Sequence, residues 1–581
     1  MFTTRPELAG TFGMVASTHW LASSSGMAVL ERGGNAFDAA AAAAFTLHVC
    51  EPHMNGPGGE VPAIFATAAD PTPRVLCGQG VAPGAATPAR FRELGLDLVP
   101  GTGLLAATVP GAVGAWLTLL RDHGSMPLRD VLGYAIGYAE HGHPVAPAVV
   151  DVITVVEQLF RTHWPTSADL WLPVPAAGGL IRNPALAATY RRLVDEAEAA
   201  GGDRERQLDA AITAWYEGFV AEAIDAFCRT AVVDESGRPN SGLLTGADLA
   251  AWRPGYEPTV SQDVFGWQVH KVAAWSQGPV LLQQLAMLEA LGEHPGAASA
   301  DEIHRVVEVA KLAFADRDAH FGDGADLTAL LDPAYLAERA RLVTDEAGAA
   351  GRNGLGRLPR YVLDGAEPVA AAGLGIGEPT LAVSPQGTTR GDTCHLDVAD
   401  RWGNVISATP SGGWLQSSPT IPELGFCLGT RAQMFWLEDG LSATLAPGKR
   451  PRTTLSPSFA TRDGVQLSFG TPGGDQQDQW QLVFFLNHAV HGMDLQAAID
   501  SPTWHTSSFA SSFYPRQTGT QLLLEARAAD AADELRRRGH HVEIVDSWSL
   551  GRMSAISRDT ETGLLRAAAN PRGMQGYAVG R

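Results

Sequence analysis

A threonine at the head of an apolar run, Thr393-Cys394-His395, follows a Gly-, Pro-, Ala- and Thr-rich stretch that ends in Gly391-Asp392. Cleavage before Thr393 would place a new α-amino group, with a reference pKa of about 8, beside the threonine hydroxyl. Such an amine can serve as general base for its own side chain, which turns a weak alcohol into an acyl-transfer nucleophile. An Asp-Thr pair opening a strand is also a common structural element, so this reading needs support from elsewhere. The other reactive residue types group less well. Arg536-Arg537-Arg538 closes a helix, where cations complement the dipole. His540-His541 has no acidic or Cys partner at a ligand spacing. Asp301, His304 and Glu308 share a helical face but lack the second His of HExxH. Gly56, Gly58 and Gly59 are not followed by the Lys-Ser/Thr of a phosphate loop, and no GxSxG elbow occurs.

The elements that must position Thr393 are legible from periodicity. Gly13–Ser17 reads as a strand and Trp20–Glu31 as an amphipathic helix stopped at Gly33-Gly34. Asn35 opens an Ala-rich helix to about Val49, followed by a Gly/Pro loop over residues 51–60. Residues 105–230 read as mostly helical, broken at Pro110-Gly111 and at Gly142-His-Pro144. A helix runs from Ala300 to about Arg317. Residues 351–392 read as a flexible linker. After it the period switches to two: His395–Val398, a turn at Asp400–Asn404, and Val405–Thr409 form a hairpin. A strand over 464–470 leads into Gly470-Thr-Pro-Gly-Gly474 and a helix from about Gln479 to His488. A last helix, Ala528–Arg538, ends at Gly539, and His541–Val545 is a strand.

Composition narrows the classes. The chain has 581 residues, a formal charge of −21 and 45% hydrophobic residues, with a mean hydropathy of −0.02. That is a globular composition with no 20-residue apolar span. The acidic balance argues against nucleic-acid binding. No signal peptide is visible at the amino terminus, and five cysteines are too few for a disulfide framework, so a cytoplasmic location is expected.

The order of several short motifs resembles the γ-glutamyltranspeptidase family of N-terminal-nucleophile hydrolases over essentially the whole chain. These are Gly33-Gly-Asn-Ala-Phe-Asp38, Glu51-Pro-His53, Val109-Pro-Gly-Ala-Val113, Lys311-Leu-Ala-Phe-Ala-Asp316-Arg317, Thr393-Cys-His395, Gly403-Asn404, Leu455-Ser-Pro457 and Gly470-Thr-Pro-Gly-Gly474. The resemblance implies an α+β fold, a four-layer αββα sandwich. It also implies a precursor cut between Asp392 and Thr393 into a large subunit, 1–392, and a small subunit, 393–581. The two stay interlocked as a heterodimer, and whether such heterodimers dimerise is left open. No cofactor, metal, nucleic acid or membrane is implied. Thr393 would be the nucleophile, Ser411 its supporting hydroxyl, Gly473 and Gly474 the oxyanion hole, and Thr453 and Thr454 the hydroxyls that hold a substrate carboxylate.

The acyl pocket departs from the family pattern. Gln79 stands where the family's carboxylate-binding Arg is expected, Met434 where its amine-binding Asp is expected, and Gly413 in place of its Asn. Arg431, read as lying on the same strand as Met434, brings one cation. It suits an acyl group with one carboxylate and no ammonium, and Arg450 and Arg452 could add to it. Asp475 either lines the site or caps the following helix. The expected activity is hydrolysis or transfer of the acyl group of a small acidic amide, as in the oxamate amidohydrolases that share this fold. The alternatives are γ-glutamyl transpeptidation or glutathione hydrolysis, another acylase activity, and a non-catalytic homologue.

Overall fold

Short strands whose alternate residues are all apolar or small can be covered on both faces, and that is how this chain uses them. In the computed structural model the described residues are 3–292, 294–348, 356–363, 393–572 and 576–581. Fourteen strands build two seven-stranded sheets. In chain order they are β1 (Leu8–Gly10), β2 (Gly13–Ser17), β3 (Val61–Ala66), β4 (Arg74–Gly78), β5 (Gly255–Pro258), β6 (Val260–Val264) and β7 (Trp267–Lys271). The second half supplies β8 (Leu396–Asp400), β9 (Val405–Ala408), β10 (Ser458–Arg462), β11 (Val465–Gly470), β12 (Ser554–Asp559), β13 (Leu565–Ala569) and β14 (Tyr577–Gly580). One sheet has the order β14-β2-β8-β9-β3-β4-β5 and the other β1-β13-β12-β11-β10-β7-β6. Every pairing within them is antiparallel.

The sheets face each other across Met14, Ala16, Ile64, Val75, Phe459, Ile556 and Ala567. Val15, Ala63 and Phe65, the alternate residues of β2 and β3, point the other way, into a core shared with the helices Trp20–Glu31 and Ala36–Cys50. Helices Pro279–Leu291, Ala300–His320 and Gln477–Ala489 cover the outer face of the second sheet. The result is the four-layer αββα sandwich, with apolar cores in each of its three gaps.

Local rules place the elements near the site. Asn35 caps the Ala-rich helix: its side chain accepts from Asp38 N and the Asp38 carboxylate accepts from Asn35 N, a reciprocal capping box. Asp38 also accepts from the Ser125 hydroxyl at 2.6 Å, tying this helix to the loop between the helices Ala112–His123 and Leu128–His141. The Ala300–His320 helix runs a turn beyond the expected Arg317. The last predicted helix is instead a 3-10 turn, Ala526–Ala531, followed by Ala532–Arg537. Of the linker expected over 351–392, only 356–363 fall within the described residues, and they include a helical turn, Arg360–Leu363. Asp392 lies outside the described residues.

Candidate active site

Thr393 lies three residues before β8, a strand in the middle of the first sheet, and is fully buried. It forms an antiparallel bridge with Ser411, and the two hydroxyls lie 3.2 Å apart. The neighbouring Cys394 faces the other way, into the helical core. Its thiol donates to Glu51 at 3.0 Å and accepts from Asn55 Nδ2 at 3.1 Å. Burial, with the Glu51 carboxylate beside it, pushes this thiol well above its ordinary range. A protonated buried thiol is a poor nucleophile. Behind it His395 bridges Thr409 Oγ1 at 2.9 Å and Asp397 Oδ2 at 3.0 Å, and its ring packs against Gly470, where any side chain would collide.

Two glycine-rich loops close on this strand. A Cβ on Gly59 would lie 2.1 Å from the Ser411 carbonyl oxygen, and one on Gly58 2.1 Å from that of Cys427. Gly56, Gly58 and Gly59 therefore let main chain pass against main chain. The other loop carries Gly473 and Gly474, with φ of +122° and +50°. A Cβ on Gly473 would lie 2.1 Å from the Trp480 ring. The left-handed geometry is accessible to glycine at little cost. Gln277 Nε2 donates to the Gly474 carbonyl at 3.3 Å and steadies the loop.

The acyl side of the site corrects one sequence expectation. Arg431 and Met434 lie on a 3-10 turn, Arg431–Met434, rather than a strand. Arg431 is buried and does not bring an uncompensated charge. Its Nε donates to Glu60 Oε1 at 2.5 Å, and the two form a buried ion pair. Burial pushes the Glu60 carboxyl up, and Arg431 pulls it back. Arg431 Nη2 also donates to Ser411 Oγ at 3.0 Å, so the guanidinium orients the hydroxyl that meets Thr393. Its plane lies between Trp414 and Phe513, 5.2 and 5.9 Å from the ring centres. Met434 packs with the same two rings. Gly413 has φ of +65°, and a Cβ there would sit 2.8 Å from Gly59 N. The site has no room for an asparagine in this main-chain arrangement.

The remaining predicted residues divide. Thr453 is held to Trp275 O through its N–H at 2.8 Å, and its hydroxyl accepts from Leu455 N at 3.3 Å. Thr454 Oγ1 is buried with no hydrogen-bond partner among the described residues. Asp475 neither caps the helix nor stands open. It takes the Ser512 N–H at 2.8 Å and the Ser512 hydroxyl at 2.5 Å, and pairs with Arg317. Arg450 is committed to Asp323 and Glu257. Gln79 is buried, with Nε2 on the adjacent Gly80 carbonyl at 3.2 Å and Oε1 without a hydrogen-bond partner among the described residues.

Sequence reasoning missed Glu60, Trp414, Ser512 and Phe513, because nothing local marks them. It also treated His304 and His540 separately. The fold brings His304 Nδ1 within 2.8 Å of His540 Nε2, near Glu308. Lys311 donates to Glu308 at 2.6 Å, the Gly348 N–H donates to its other oxygen at 2.7 Å, and His304 Nε2 meets Thr344 O at 2.6 Å. That is a closed hydrogen-bond network. A surface cleft of about 790 Å³ bordered by Trp267 and Arg462 holds none of the site residues.

Comparison with protein-family models matches residues 22–580 to Gamma-glutamyltranspeptidase. Oxamate amidohydrolase proenzyme of Klebsiella pneumoniae subsp. pneumoniae is 31% identical over 593 residues, covering 98% of each chain. A solved structure titled "Structure of LmbA2991HD" superposes with a TM-score of 0.94 at 56% identity, covering 100% of both chains. The crystal structure of cephalosporin acylase from Bacillus halodurans gives 0.81 at 28% identity, covering 100% of this chain and 97% of that one. With the motifs in order, the sandwich in place and the match running nearly end to end, the chain belongs to the gamma-glutamyltranspeptidase family.

Proposed function

We propose that the protein is a self-processing amidase whose nucleophile is Thr393 and whose substrate is an amide of a small acidic acyl group. The observation that carries this reading is the buried hydroxyl pair Thr393–Ser411 beside a thiol, Cys394, that its surroundings hold protonated. In processing, Thr393 Oγ attacks the Asp392 carbonyl. The C–N bond breaks as the ester forms, and water then hydrolyses the ester, leaving a carboxylate on Asp392 and a free amine on Thr393. In turnover that amine takes the hydroxyl proton as Oγ attacks the substrate carbonyl, and returns it to the departing amine. Ser411, oriented by Arg431, supports the nucleophile. The N–H groups at Gly473 and Gly474 face the developing oxyanion, which is commonly the largest stabilising contribution in acyl transfer. Water or an acceptor amine then releases the acyl group.

Similarity to an oxamate amidohydrolase proenzyme and to a cephalosporin acylase supports an amide substrate. The loss of the expected partners for an α-ammonium, at Met434 and Gly413, disfavours a γ-glutamyl group, since a buried ammonium without a partner is strongly penalised.

Intact-mass measurement of the purified protein tests the reading. Wild type is expected as fragments 1–392 and 393–581, Thr393→Ala as one uncut chain, and Thr393→Ser as a slower-cutting one. A small fragment beginning at any other residue, or a Thr393→Ala chain that still cuts, overturns it.

A further inference from the structure

Beside the oxyanion loop lies a buried group of charges whose signs do not balance. Arg317, Arg452 and Arg516 are each at most 2% exposed. Two carboxylates, Asp318 and Asp475, face them, and Arg317 pairs with both. Arg516 spends Nη2 on the carbonyls of Gln433 and Phe435, at 2.9 and 3.1 Å, and lies over the Trp436 ring. Arg452 has only the Ser512 hydroxyl, at 2.9 Å from Nη2, and its Nη1 has no hydrogen-bond partner among the described residues. No carboxylate of the described residues lies within ion-pair distance of Arg452. Burial and the neighbouring Arg317 push its guanidinium down to about 9. A buried guanidinium without an anion is costly unless a ligand supplies one.

The position of Arg452 fits an acyl-group contact. Thr453 is bridged to Ser276 in extended form, and alternate side chains of extended chain share a side. Arg452 and Thr454 thus fall on one side, and each carries an unpartnered buried polar atom. Ser512 joins Arg452 to Asp475, the residue after Gly474. The next residue, Phe513, faces Arg431, which bonds Ser411 next to Thr393.

We propose that Arg452 receives the free carboxylate of the acyl group, while Arg431 is a positioning residue neutralised by Glu60. This rests on the amidase reading above and assigns its specificity to a single side chain. The substrate class becomes the monoamides of short dicarboxylic acids.

Steady-state kinetics of the processed enzyme on succinyl- and glutaryl-p-nitroanilide, each against its methyl ester, tests it. Wild type should favour the acids by at least about 100-fold in kcat/KM, as sites built to bond a polar group do. Arg452→Gln should bring that ratio close to one, chiefly through KM, and Arg452→Lys should restore part of it. A ratio unchanged in Arg452→Gln, or no preference in wild type, overturns the proposal. Should Arg452→Gln fail to fold, wild type decides: succinate or glutarate should inhibit where the diamides do not. In a crystal with the better inhibitor, a carboxylate should then lie on Arg452 Nη1. No inhibition, or a carboxylate held elsewhere, overturns it. A wild type that fails to process at Thr393 or to form an acyl-enzyme instead sinks the amidase reading. A processed, acylating enzyme indifferent to Arg452 sinks this inference alone.

Discussion

At Arg431 one side chain serves a buried ion pair, a hydroxyl and two aromatic faces. Arginine suits that position because its planar fork can bond Glu60 and Ser411 while its faces stack on Trp414 and Phe513. The same arrangement makes it sensitive. Arg431→Met would leave Glu60 buried without its cation, a change that typically costs about 3–5 kcal/mol. Urea unfolding of the purified variant should show a loss of that order. The double variant Glu60→Gln/Arg431→Met should recover a large part of it, since the carboxylate is then neutral. An Arg431→Met protein as stable as wild type would show that the pair is not an energetic unit.

The Ala36–Cys50 helix lies under β8 and is buried along its whole length. It carries a histidine, His48, whose Nδ1 meets the Tyr190 hydroxyl at 2.9 Å and whose Nε2 has no partner among the described residues. Burial pulls this imidazole down to about 3. The unfolded chain takes up the proton near pH 6.5, so between about pH 6.5 and 3 it binds more protons than the folded one. Stability therefore falls on acidification through that window, by about 1.4 kcal/mol per pH unit for this group. His48→Gln should remove that share: between pH 7 and pH 5 the variant should lose about 2 kcal/mol less than wild type in urea titrations. An identical acid sensitivity would show that His48 is not kept neutral by the helix around it.

Across the whole molecule, strands from the two halves of the chain alternate. In the first sheet β8 and β9 lie between β2 and β3, and β14 flanks β2. In the second, β10 to β13 lie between β1 and β7. Cutting before Thr393 would break no ladder, so the fragments should remain joined by every pairing that crosses between them. Processed protein should elute as one species in gel filtration, and its fragments should separate only in denaturant. Dissociation in native buffer would contradict the interleaved order.

The amino-acid order by itself determined many of the helices and the hairpin that follows Thr393. Caps such as Asn35, glycine stops such as Gly33, and period-two runs act over a few residues, so they can be read locally. Thr393 and Ser411 were singled out through their motifs, and only the fold shows that the two hydroxyls meet at 3.2 Å. Which charge answers which was decided only by the tertiary structure. Arg431 read as a lone cation until the fold set Glu60 against it, and Asp475 as a cap or site residue until Arg317 and Ser512 enclosed it. Arg452 read as an accessory, and only the fold shows it buried with an Nη1 that has no hydrogen-bond partner among the described residues. The reason is physical. Burial and pairing set the energy of a charge, both depend on segments hundreds of residues away, and no local pattern in the chain encodes them.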